Sequence, residues 1–599
     1  MSSRPHGQIR QSQVITTYGP GALIDLPEDA AIVGGLESWP DPGSLPVIDE
    51  PRLSQLIGSI TDGGSPRLYA PPPEPAQSWS SKHGIGAWRF PEWFVVQETD
   101  KSLVGKKRSR SRRLVHRKSL DGKRFEGKAV TPTRFVRACP HGHVDDLDWA
   151  GFVHGYEERC GRRLWLDERG TTGDLSDLIV RCECRKSRRL YEATAIEQGP
   201  LGSCRGKRPW LGLHTDEDCN QPARLLIRTA SNAFFPQVLS VLSLPDRGSE
   251  IDRAVQELWN DLSIVEDLAT LGFIKKKPKV TKGLKGFADA DVLRAIKLRN
   301  SGKSTERSVK EAELEALLAA PEGYGEDIPV DQNFHARRLP DQIWRSSKST
   351  ANRPIQSVTQ LHRLREVLAL VGFTRFEAAV RDIHGEYDSD VRRANLALEA
   401  DWFPAVENHG EGVFVRINSE NIDDWVQRPP VIERIEELRS GYQAWCHSRG
   451  REPDSFPGGP YIMLHTLAHL LIQSMSIRCG YPASSIRERI YVESGQYGLL
   501  LYTGSTDAEG TLGGLVQQAR SFDRHLNTAL EMGLLCSNDP ICAQHSADQD
   551  FEERWLHGAA CHGCTLISET SCEMWNDYLD RALVVPVPGR DDAAFFSVA

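Results

Sequence analysis

Cysteine clustering is the feature that most limits what this chain can fold into. Of its 13 cysteines, only Cys446 and Cys479 lie outside two clusters, which span residues 139–219 and 536–572. No run approaches ~18 consecutive apolar residues, and the polar amino terminus carries no apolar segment behind a basic one. We therefore expect a cytoplasmic protein, in which a reducing environment disfavours disulfides and clustered cysteines are metal ligands.

The amino-terminal cluster combines cysteines with histidines at spacings that indicate zinc. Zinc prefers four thiolate or imidazole ligands in a tetrahedron, usually supplied as pairs from tight turns. We expect two sites, one formed by Cys139, His143, His154 and Cys160 and the other by Cys182, Cys184, Cys204 and Cys219. The partition of these residues into one or two sites stays open, and His154 has the alternative role of a packed core histidine.

The carboxy-terminal cluster contains a C-x2-C pair, Cys561 and Cys564, with a glycine before the second thiol. Cys572 follows within reach, and the fourth ligand of a zinc site must come from Cys542 or Cys536. Sites with four protein ligands leave no position for water or substrate. Both clusters therefore predict zinc ions that stabilise the fold and take no part in chemistry.

One sequence motif resembles a phosphate-binding loop but lacks its context. Residues 301–305 read Ser-Gly-Lys-Ser-Thr, but the first glycine of G-x4-G-K-[ST] falls at Lys297, and the preceding residues predict a helix where a strand is required. We therefore expect no nucleotide hydrolysis at this segment.

A second motif resembles that of zinc peptidases. His465 and His469 lie four residues apart on one face of a predicted helix, but Thr466 replaces the glutamate that acts as general base. The favoured interpretation is a packed, hydrogen-bonded pair. The alternative is a metal-dependent hydrolase or nuclease that uses both histidines with Asp507 and Glu509.

Positive charge is concentrated in one segment, although the formal net charge is -9. Residues 101–128 contain twelve lysines and arginines against two acids. Such a segment can contact nucleic-acid phosphates, although basic runs are also common in solvated loops. The candidate contacts are Lys106, Lys107, Arg108, Arg110, Arg112 and Arg113, in a stretch that we expect to be a loop.

Length and patterning predict a multidomain α+β protein, because 599 residues exceed what one core supports. We expect a zinc-knuckle region rich in loops and short strands at 1–235, a helical middle domain at 236–400 and a cysteine-rich α/β domain at 401–599. The helical assignment depends on apolar spacing in residues 249–272 and 357–372. In the last domain, strands are expected at 412–417 and 497–503, and helices at 461–475 and 511–533.

Several motifs together resemble the DrmB family, a core component of DISARM antiphage systems. They are residues 11–25 (QSQVITTYGPGALID), 137–146 (RACPHGHVDD), 464–470 (LHTLAHL), 558–564 (GAACHGC), Asn576 and 579–581 (LDR). The resemblance runs nearly end to end. From about residue 461 the chain also resembles a cysteine-rich domain of unknown function that ends certain superfamily 2 helicases, in which the terminal cysteines bind zinc.

The resemblance implies a role that composition and spacing do not reach. It implies a stable complex with the DrmA helicase, DNA engagement by that complex, and discrimination of phage DNA from modified host DNA alongside a methyltransferase. In that setting the chain is a non-catalytic partner of a nucleic-acid motor. The residues themselves indicate a zinc-stabilised scaffold, which agrees with this expectation.

Overall fold

The structure is a computed structural model in which the two ends of the chain differ in character. It describes residues 9–26, 29–61, 64–73, 84–97, 109–156, 160–169, 173–212, 215–244, 251, 254–287, 289–300, 308–325, 328–329, 332–346, 349–379, 382, 384, 387, 393–504, 514–547 and 554–597. Short strands predominate at the amino-terminal end and long helices at the carboxy-terminal end. No helix within these ranges is long and apolar enough to cross a membrane.

The chain forms two units, each assembled from separate segments, so it is a multidomain protein with helices and several sheets. The first unit comprises Met1–Val241, Val367–Arg381 and Glu386–Asn408. The second comprises Leu242–Glu366, Asp382–Gly385 and His409–Ala599. Residues 242–366 group with the carboxy-terminal segment, and the domain limits at 235 and 400 stay a prediction.

Short antiparallel strands dominate the first unit, as its glycine- and proline-rich sequence predicts. Its helices are Gln11–Thr16, Pro51–Thr61 and Trp149–His154. Its main sheet has seven strands in the order Ser187–Arg189, Leu178–Cys182, Leu164–Arg169, Ser109–His116, Trp93–Val96, Lys128–Pro132 and Arg124–Phe125. Trp149 and Phe152 of the third helix are buried in the same core cluster as Leu166 and Leu178 of this sheet.

Smaller sheets complete the first unit. Val144–Asp146, Phe135–Ala138 and Arg224–Ile227 form a three-stranded sheet in which Ala138 lies opposite both Val144 and Arg224. Leu23–Leu26, Asp29–Val33 and Ala87–Arg89 form another. The first unit also contains the strands Val47–Ile48 and Arg67–Tyr69, the strand Phe235–Leu242 except its last residue, and parts of the strands Ile355–Thr374 and Trp402–Ile417.

The long helix Gly458–Cys479 lies at the centre of the second unit. It is apolar on all sides and contacts the strands Ile486–Glu493 and Gln496–Thr503 and the helix Phe522–Leu534. Gly480 ends it with a φ of 79°, a left-handed conformation that glycine adopts without strain. Further helices in the described ranges include Trp259–Leu262, Leu268–Ile274, Pro278–Gly283, Asp289–Asn300, Val309–Leu318, Asp341–Trp344, Ser419–Val426, Pro429–Ser448 and Gly514–Gln518.

The strands next to this helix form a hairpin, Ile486–Glu493 and Gln496–Thr503, joined at Ser494 and Gly495. Both turn residues have positive φ, at 49° and 72°, which matches the twist of the paired strands. Residues 412–417 of the strand Trp402–Ile417 pair with the hairpin's second strand. The period of two along a strand places Glu488 on the same face as Ile486 and Ile490.

The helix predicted at 357–372 is wrong, because these residues belong to the strand Ile355–Thr374. Its leucines and valines happen to follow a helical spacing. Most of the strand is buried, and internal partners satisfy two of its buried polar residues: Gln360 donates to the Val516 carbonyl and Arg365 to Ser243 Oγ, each at 2.7 Å. A strand covered on both faces shows no alternation, which is why its sequence pattern is misleading.

The other predicted elements agree better with the structure. The strands at 412–417 and 497–503 and the helix at 461–475 are confirmed. The helix predicted at 511–533 is instead two helices, Gly514–Gln518 and Phe522–Leu534, and residues 511–513 lie outside the described ranges. The segment 249–272 contains short helical pieces, although its apolar residues form one core cluster with those of the following helices.

Candidate metal centres

Four groups of metal-ligand side chains assemble in the described parts of the chain, and within each group the ligand atoms lie within 4.8 Å of one another. Group 1 contains Cys139, His143, Cys204 and Cys219, and group 2 contains His154, Cys160, Cys182 and Cys184. Group 3 contains Cys536, Cys542, Cys561 and Cys564, and group 4 contains His465, His469, Glu488 and Cys572. None of the 13 cysteines forms a disulfide in the structure.

Group 1 is built on the three-stranded sheet of the first unit. Cys139 follows the strand Phe135–Ala138, and the turn that contains Gly142, with a φ of 87°, brings His143 back towards it. His143 Nδ1 lies 3.4 Å from Cys139 Sγ and 3.6 Å from Cys204 Sγ, while its Nε2 lies 2.6 Å from a Glu217 carboxylate oxygen. A carboxylate on the far nitrogen of a ligating imidazole fixes the ring and its tautomer, so Glu217 supports a metal at this site.

Group 2 lies beside the core of the first unit. His154 ends the helix Trp149–His154 and donates from Nδ1 to the Ala150 carbonyl at 2.8 Å, which leaves Nε2 facing Cys184 Sγ at 3.3 Å. Cys182, the last residue of a sheet strand, lies 3.8 Å from Cys160, measured between the sulfurs. His154 is therefore one of the converging residues and not an isolated core histidine.

The structure corrects the predicted pairing of these eight residues. Cys139 and His143 meet Cys204 and Cys219, whereas His154 and Cys160 meet Cys182 and Cys184. Sequence proximity suggested the other pairing. Antiparallel pairing of Phe135–Ala138 with Arg224–Ile227 carries the distant Cys219 region to Cys139, while the helix that ends at His154 contacts the strand that ends at Cys182.

Group 3 contains four of the five terminal cysteines. Cys536 lies 3.4 Å from Cys561 and Cys542 lies 3.8 Å from Cys564, measured between sulfurs, so both candidate fourth ligands take part. The amide of Gly563 donates to Cys561 Sγ at 3.3 Å. Cys572, which was predicted to join this site, lies instead in group 4. The chain between Cys564 and Cys572 leads it away from group 3 to the helix that carries His465.

Group 4 adds Glu488 and Cys572, which no spacing rule links to the helix, to the histidine pair His465 and His469. His465 Nε2 lies 2.9 Å from Glu488 Oε1 and 3.1 Å from Cys572 Sγ, and His469 Nε2 lies 3.2 Å from Glu488 Oε1. Both histidines and the Glu488 side chain are fully buried. The sequence indicated the histidines as a pair and Cys572 as a ligand of the terminal cysteine site, but it gave no signal for Glu488, whose contribution depends on the hairpin register.

Within groups 1 to 3, local contacts lower the pKa of some thiols and raise the pKa of others. Hydrogen bonds lower the pKa of Cys204 to about 4 through Cys139, of Cys184 to about 6 through His154, and of Cys564 to about 5 through Cys542. The same contacts raise the pKa of Cys139 and Cys542. A thiol with a lowered pKa is a thiolate near neutral pH, which is the form that binds metal.

The candidate nucleic-acid contacts do not share one environment. Arg110, Arg112 and Arg113 lie on the strand Ser109–His116, where a loop was expected, while Lys106, Lys107 and Arg108 lie outside the described residues. Arg110 is exposed. Arg112 pairs with Glu168 at 3.0 Å, and Arg113 stacks on Phe125 with its guanidinium carbon 4.8 Å from the ring centre.

Two further candidates also fall outside the described residues. They are the Ser-Gly-Lys-Ser-Thr segment at 301–305 and the acids Asp507 and Glu509. His465 and His469 meet Glu488 and Cys572 in group 4. Thr466, which stands where a peptidase has its catalytic glutamate, accepts a hydrogen bond from the Asp580 amide at 2.9 Å and donates to the Ile462 carbonyl at 2.7 Å.

Comparisons with known proteins agree with the metal centres. Residues 10–235 match a domain of unknown function, DUF8724, and residues 467–565 match the MrfA Zn-binding domain. All four group 3 cysteines lie within the second match, which together with the Cys/His groups indicates zinc as the cofactor. The chain is 34% identical over 486 residues to the DISARM protein DrmB of Bacillus paralicheniformis, covering 78% of this chain and 82% of that protein.

Proposed function

Because this chain belongs to the DrmB family of DISARM antiphage defence proteins, we propose that it is a non-catalytic, zinc-stabilised partner of a DrmA-like superfamily 2 helicase. In this proposal the two proteins act in the bacterial cytoplasm, within a complex that restricts phage DNA. The chain described here helps that complex to engage DNA, and the helicase supplies ATP hydrolysis.

The observation that carries this proposal is the closed character of groups 1 to 3. Each offers four Cys or His ligands, which fill a tetrahedral zinc shell and leave no position for substrate. Structural zinc contributes on the order of 10 kcal/mol to the folding of its local module. Zinc in these groups therefore stabilises folded modules, and the surfaces of such modules can bind a helicase or DNA.

The zinc module around group 3 offers apolar side chains for a partner. Leu535 and Ile541, each next to a group 3 cysteine, are 78% and 75% exposed. Exposed apolar groups at the core of an interface contribute most of its stability, whereas isolated ones are common on any surface. We propose that the helicase docks on this face.

Co-purification tests the docking proposal. The chain and a DrmA-like helicase are co-expressed, and the helicase is captured through a tag. We expect Leu535→Glu combined with Ile541→Glu to reduce recovery of this chain at least about tenfold, since two charges at an interface core cost several kcal/mol.

Ile477→Glu is the matched control, because Ile477 is 74% exposed in the same unit but lies on the long helix. Unchanged recovery of the double variant, with unchanged zinc content, would move docking to another surface. Failure of the wild-type chain to co-purify with the helicase would reject the partnership.

Salt-dependent binding tests the DNA contribution. The complex carrying alanine at Lys106, Lys107, Arg108 and Arg110 should bind DNA more weakly and with a shallower salt dependence, because each phosphate contact releases counterions. Replacing Lys275, Lys276, Lys277 and Lys279 removes the same charge elsewhere and serves as control. Equal effects of the two sets would mean that the basic segment acts only through net charge.

A further inference from the structure

Group 4 lies apart from the cysteine sites, and neither the family match nor the proposed partnership explains it. Its residues come from three places: the helix Gly458–Cys479, the strand Ile486–Glu493 and the tail that follows group 3. His465 and Cys572 lie outside the residues that match the MrfA Zn-binding domain. Two imidazoles, a carboxylate and a thiol thus meet in a buried position.

The backbone fixes which nitrogen of each imidazole carries a proton. His465 Nδ1 lies 3.2 Å from the Tyr578 carbonyl oxygen, and His469 Nδ1 lies 2.8 Å from the Thr565 carbonyl oxygen. A carbonyl oxygen only accepts, so both Nδ1 atoms donate. Each Nε2 therefore bears either a lone pair or a second proton that makes the ring a cation.

The two symmetric metal-free states suit this position least, and a mixed state, with one imidazolium on Glu488, still leaves the lone pair of the other Nε2 facing Oε1. With lone pairs on both Nε2 atoms, each ring would present an acceptor to Glu488 Oε1 at 2.9 and 3.2 Å. With protons on both, two buried cations would share one carboxylate, and buried charges without matching partners are costly. A cation at the centre removes the conflict, because lone pairs and carboxylate then point at positive charge.

Two further observations fit a bound cation. Glu488 Oε2 is buried and has no hydrogen-bond partner among the described residues, which is rare for a carboxylate oxygen. Cys572 Sγ accepts hydrogen bonds from the amides of Met574 at 3.3 Å and Asn576 at 3.1 Å. Amides directed at sulfur stabilise a thiolate, and the thiolate is the ligand form of cysteine.

We propose that group 4 is a further zinc site, with His465 Nε2, His469 Nε2, the Glu488 carboxylate and Cys572 Sγ as ligands. Bonds of about 2.0 to 2.3 Å in a tetrahedron give ligand separations of roughly 3.4 Å, near the distances in this group. Zn2+ with one carboxylate, one thiolate and two neutral imidazoles has no net charge, which suits full burial. The two Nδ1 hydrogen bonds to carbonyls are the outer contacts that orient ligating histidines.

The ion would fasten the tail of the chain to its central helix and hairpin. Cys572 follows the last group 3 cysteine by only a few residues, but the proposed site uses none of the group 3 ligands. The second unit would therefore hold two independent zinc ions with different ligand sets. The first is held by four thiolates and the second by nitrogen, oxygen and sulfur.

Zinc counting in the full chain tests this site. We expect purified wild-type protein to contain four zinc ions and Cys572→Ser to contain three, while Cys446→Ser, a buried thiol outside every group, keeps four. Cys561→Ser with Cys564→Ser should also lose one ion. Adding Cys572→Ser to that pair should lose a second, and no further loss would place Cys572 in the group 3 site instead.

Zinc X-ray absorption of the wild type provides a measurement that does not depend on how any variant folds. A fourth ion with a single sulfur ligand lowers the average share of sulfur around zinc, compared with three ions bound by groups 1 to 3. Three ions per chain with the higher sulfur share would show that group 4 is a hydrogen-bonded cluster without metal. Four ions with the lower share would establish the site.

Discussion

At the residue scale, the ligand groups show that a chemically suggestive residue acquires its role from its neighbours in space. Thr466 interrupts a peptidase motif in the sequence, and in the fold its hydroxyl links the helix to the Asp580 amide. Glu217 and Glu488 have no motif of their own, but each lies against a candidate ligand. The Glu217 carboxylate contacts the His143 imidazole and the Glu488 carboxylate contacts the His465 imidazole, and each contact helps to fix the orientation of the ring.

Paired substitutions test the partition between groups 1 and 2. Cys139→Ser with Cys204→Ser alters one group and should lower the zinc content by one ion per chain, whereas Cys139→Ser with Cys160→Ser alters both and should lower it by two. Zinc is measured by atomic absorption after dialysis against a mild chelator. The opposite result would restore the pairing that sequence proximity suggested.

The Glu437 carboxylate gives a pH-dependent prediction. It pairs with Arg590 at 2.6 Å and Arg434 at 2.7 Å and accepts from Ser546, and these contacts outweigh burial to lower its pKa from 4.5 to about 2. The native state therefore holds fewer protons than the unfolded chain between these values. This contribution is complete above pH 4.5 and is lost as pH falls towards 2.

Glu437→Gln should accordingly cost roughly 3 kcal/mol of unfolding free energy at pH 7. The difference from wild type should shrink by about half near pH 3. Denaturant unfolding of both proteins in the same buffers, with the same zinc content, measures it. A difference that is independent of pH would assign the effect to shape and not to charge.

At the element scale, the helix Pro429–Ser448 is joined to the tail by a buried ion pair. Arg434 Nε lies 2.7 Å from Asp580 Oδ2, and both side chains are almost fully buried. The other Asp580 oxygen accepts from the amides of Ala559 and Ala582. The Asp580 carboxylate thus joins this helix to the residues that flank group 3, in addition to the contacts that Glu437 makes with Arg590 and Ser546.

Asp580→Asn should destabilise the second unit by about 3 kcal/mol, because it removes one of the two carboxylates that pair with the buried Arg434 charge and leaves only Glu437. Glu436→Gln is the control on the same helix: its pair with Arg439 is exposed and should contribute under about 1 kcal/mol. Thermal and denaturant unfolding measure both variants. Similar losses for the two would contradict a special role for the buried pair.

The elements also show what sequence could predict. The helix at 461–475, the strands at 412–417 and 497–503 and the two cysteine-rich regions were predictable, since local pattern and short spacing determine them. Three features were not: the strand Ile355–Thr374, the partition of groups 1 and 2, and the membership of Cys572. Each depends on contacts between distant segments, and a single sequence gives no local signal of those contacts.

At the scale of the whole molecule, the first unit depends on residues far along the chain. Arg375 is fully buried and donates to the carbonyls of Gly142, Ala233 and Gly21, which lie far from one another in the sequence. All four residues lie in the first unit. One guanidinium therefore satisfies three backbone acceptors that burial would otherwise leave unpaired.

Arg375→Met should lower the stability of the first unit by at least about 3 kcal/mol, because three buried carbonyls lose a charged donor. Residues 1–241 expressed alone lack this arginine together with two segments of the unit, and should be digested rapidly by protease. Arg393→Met is the comparison, since among the described residues Arg393 donates one hydrogen bond, to the Ile60 carbonyl at 3.1 Å. A protease-resistant fragment 1–241 would show that the later segments are dispensable.

The discontinuity of the first unit also sets an order of events on the ribosome. The ligands of groups 1 and 2 have all been synthesised once residue 219 has emerged, whereas Arg375 and the last segment of the unit, which ends at Asn408, follow much later. Group 3 is complete at Cys564 and group 4 only at Cys572. The ligand sets would thus be completed from the amino terminus onward, whereas stable metal binding in groups 1 and 2 would wait until Arg375 and the segment that ends at Asn408 have been made.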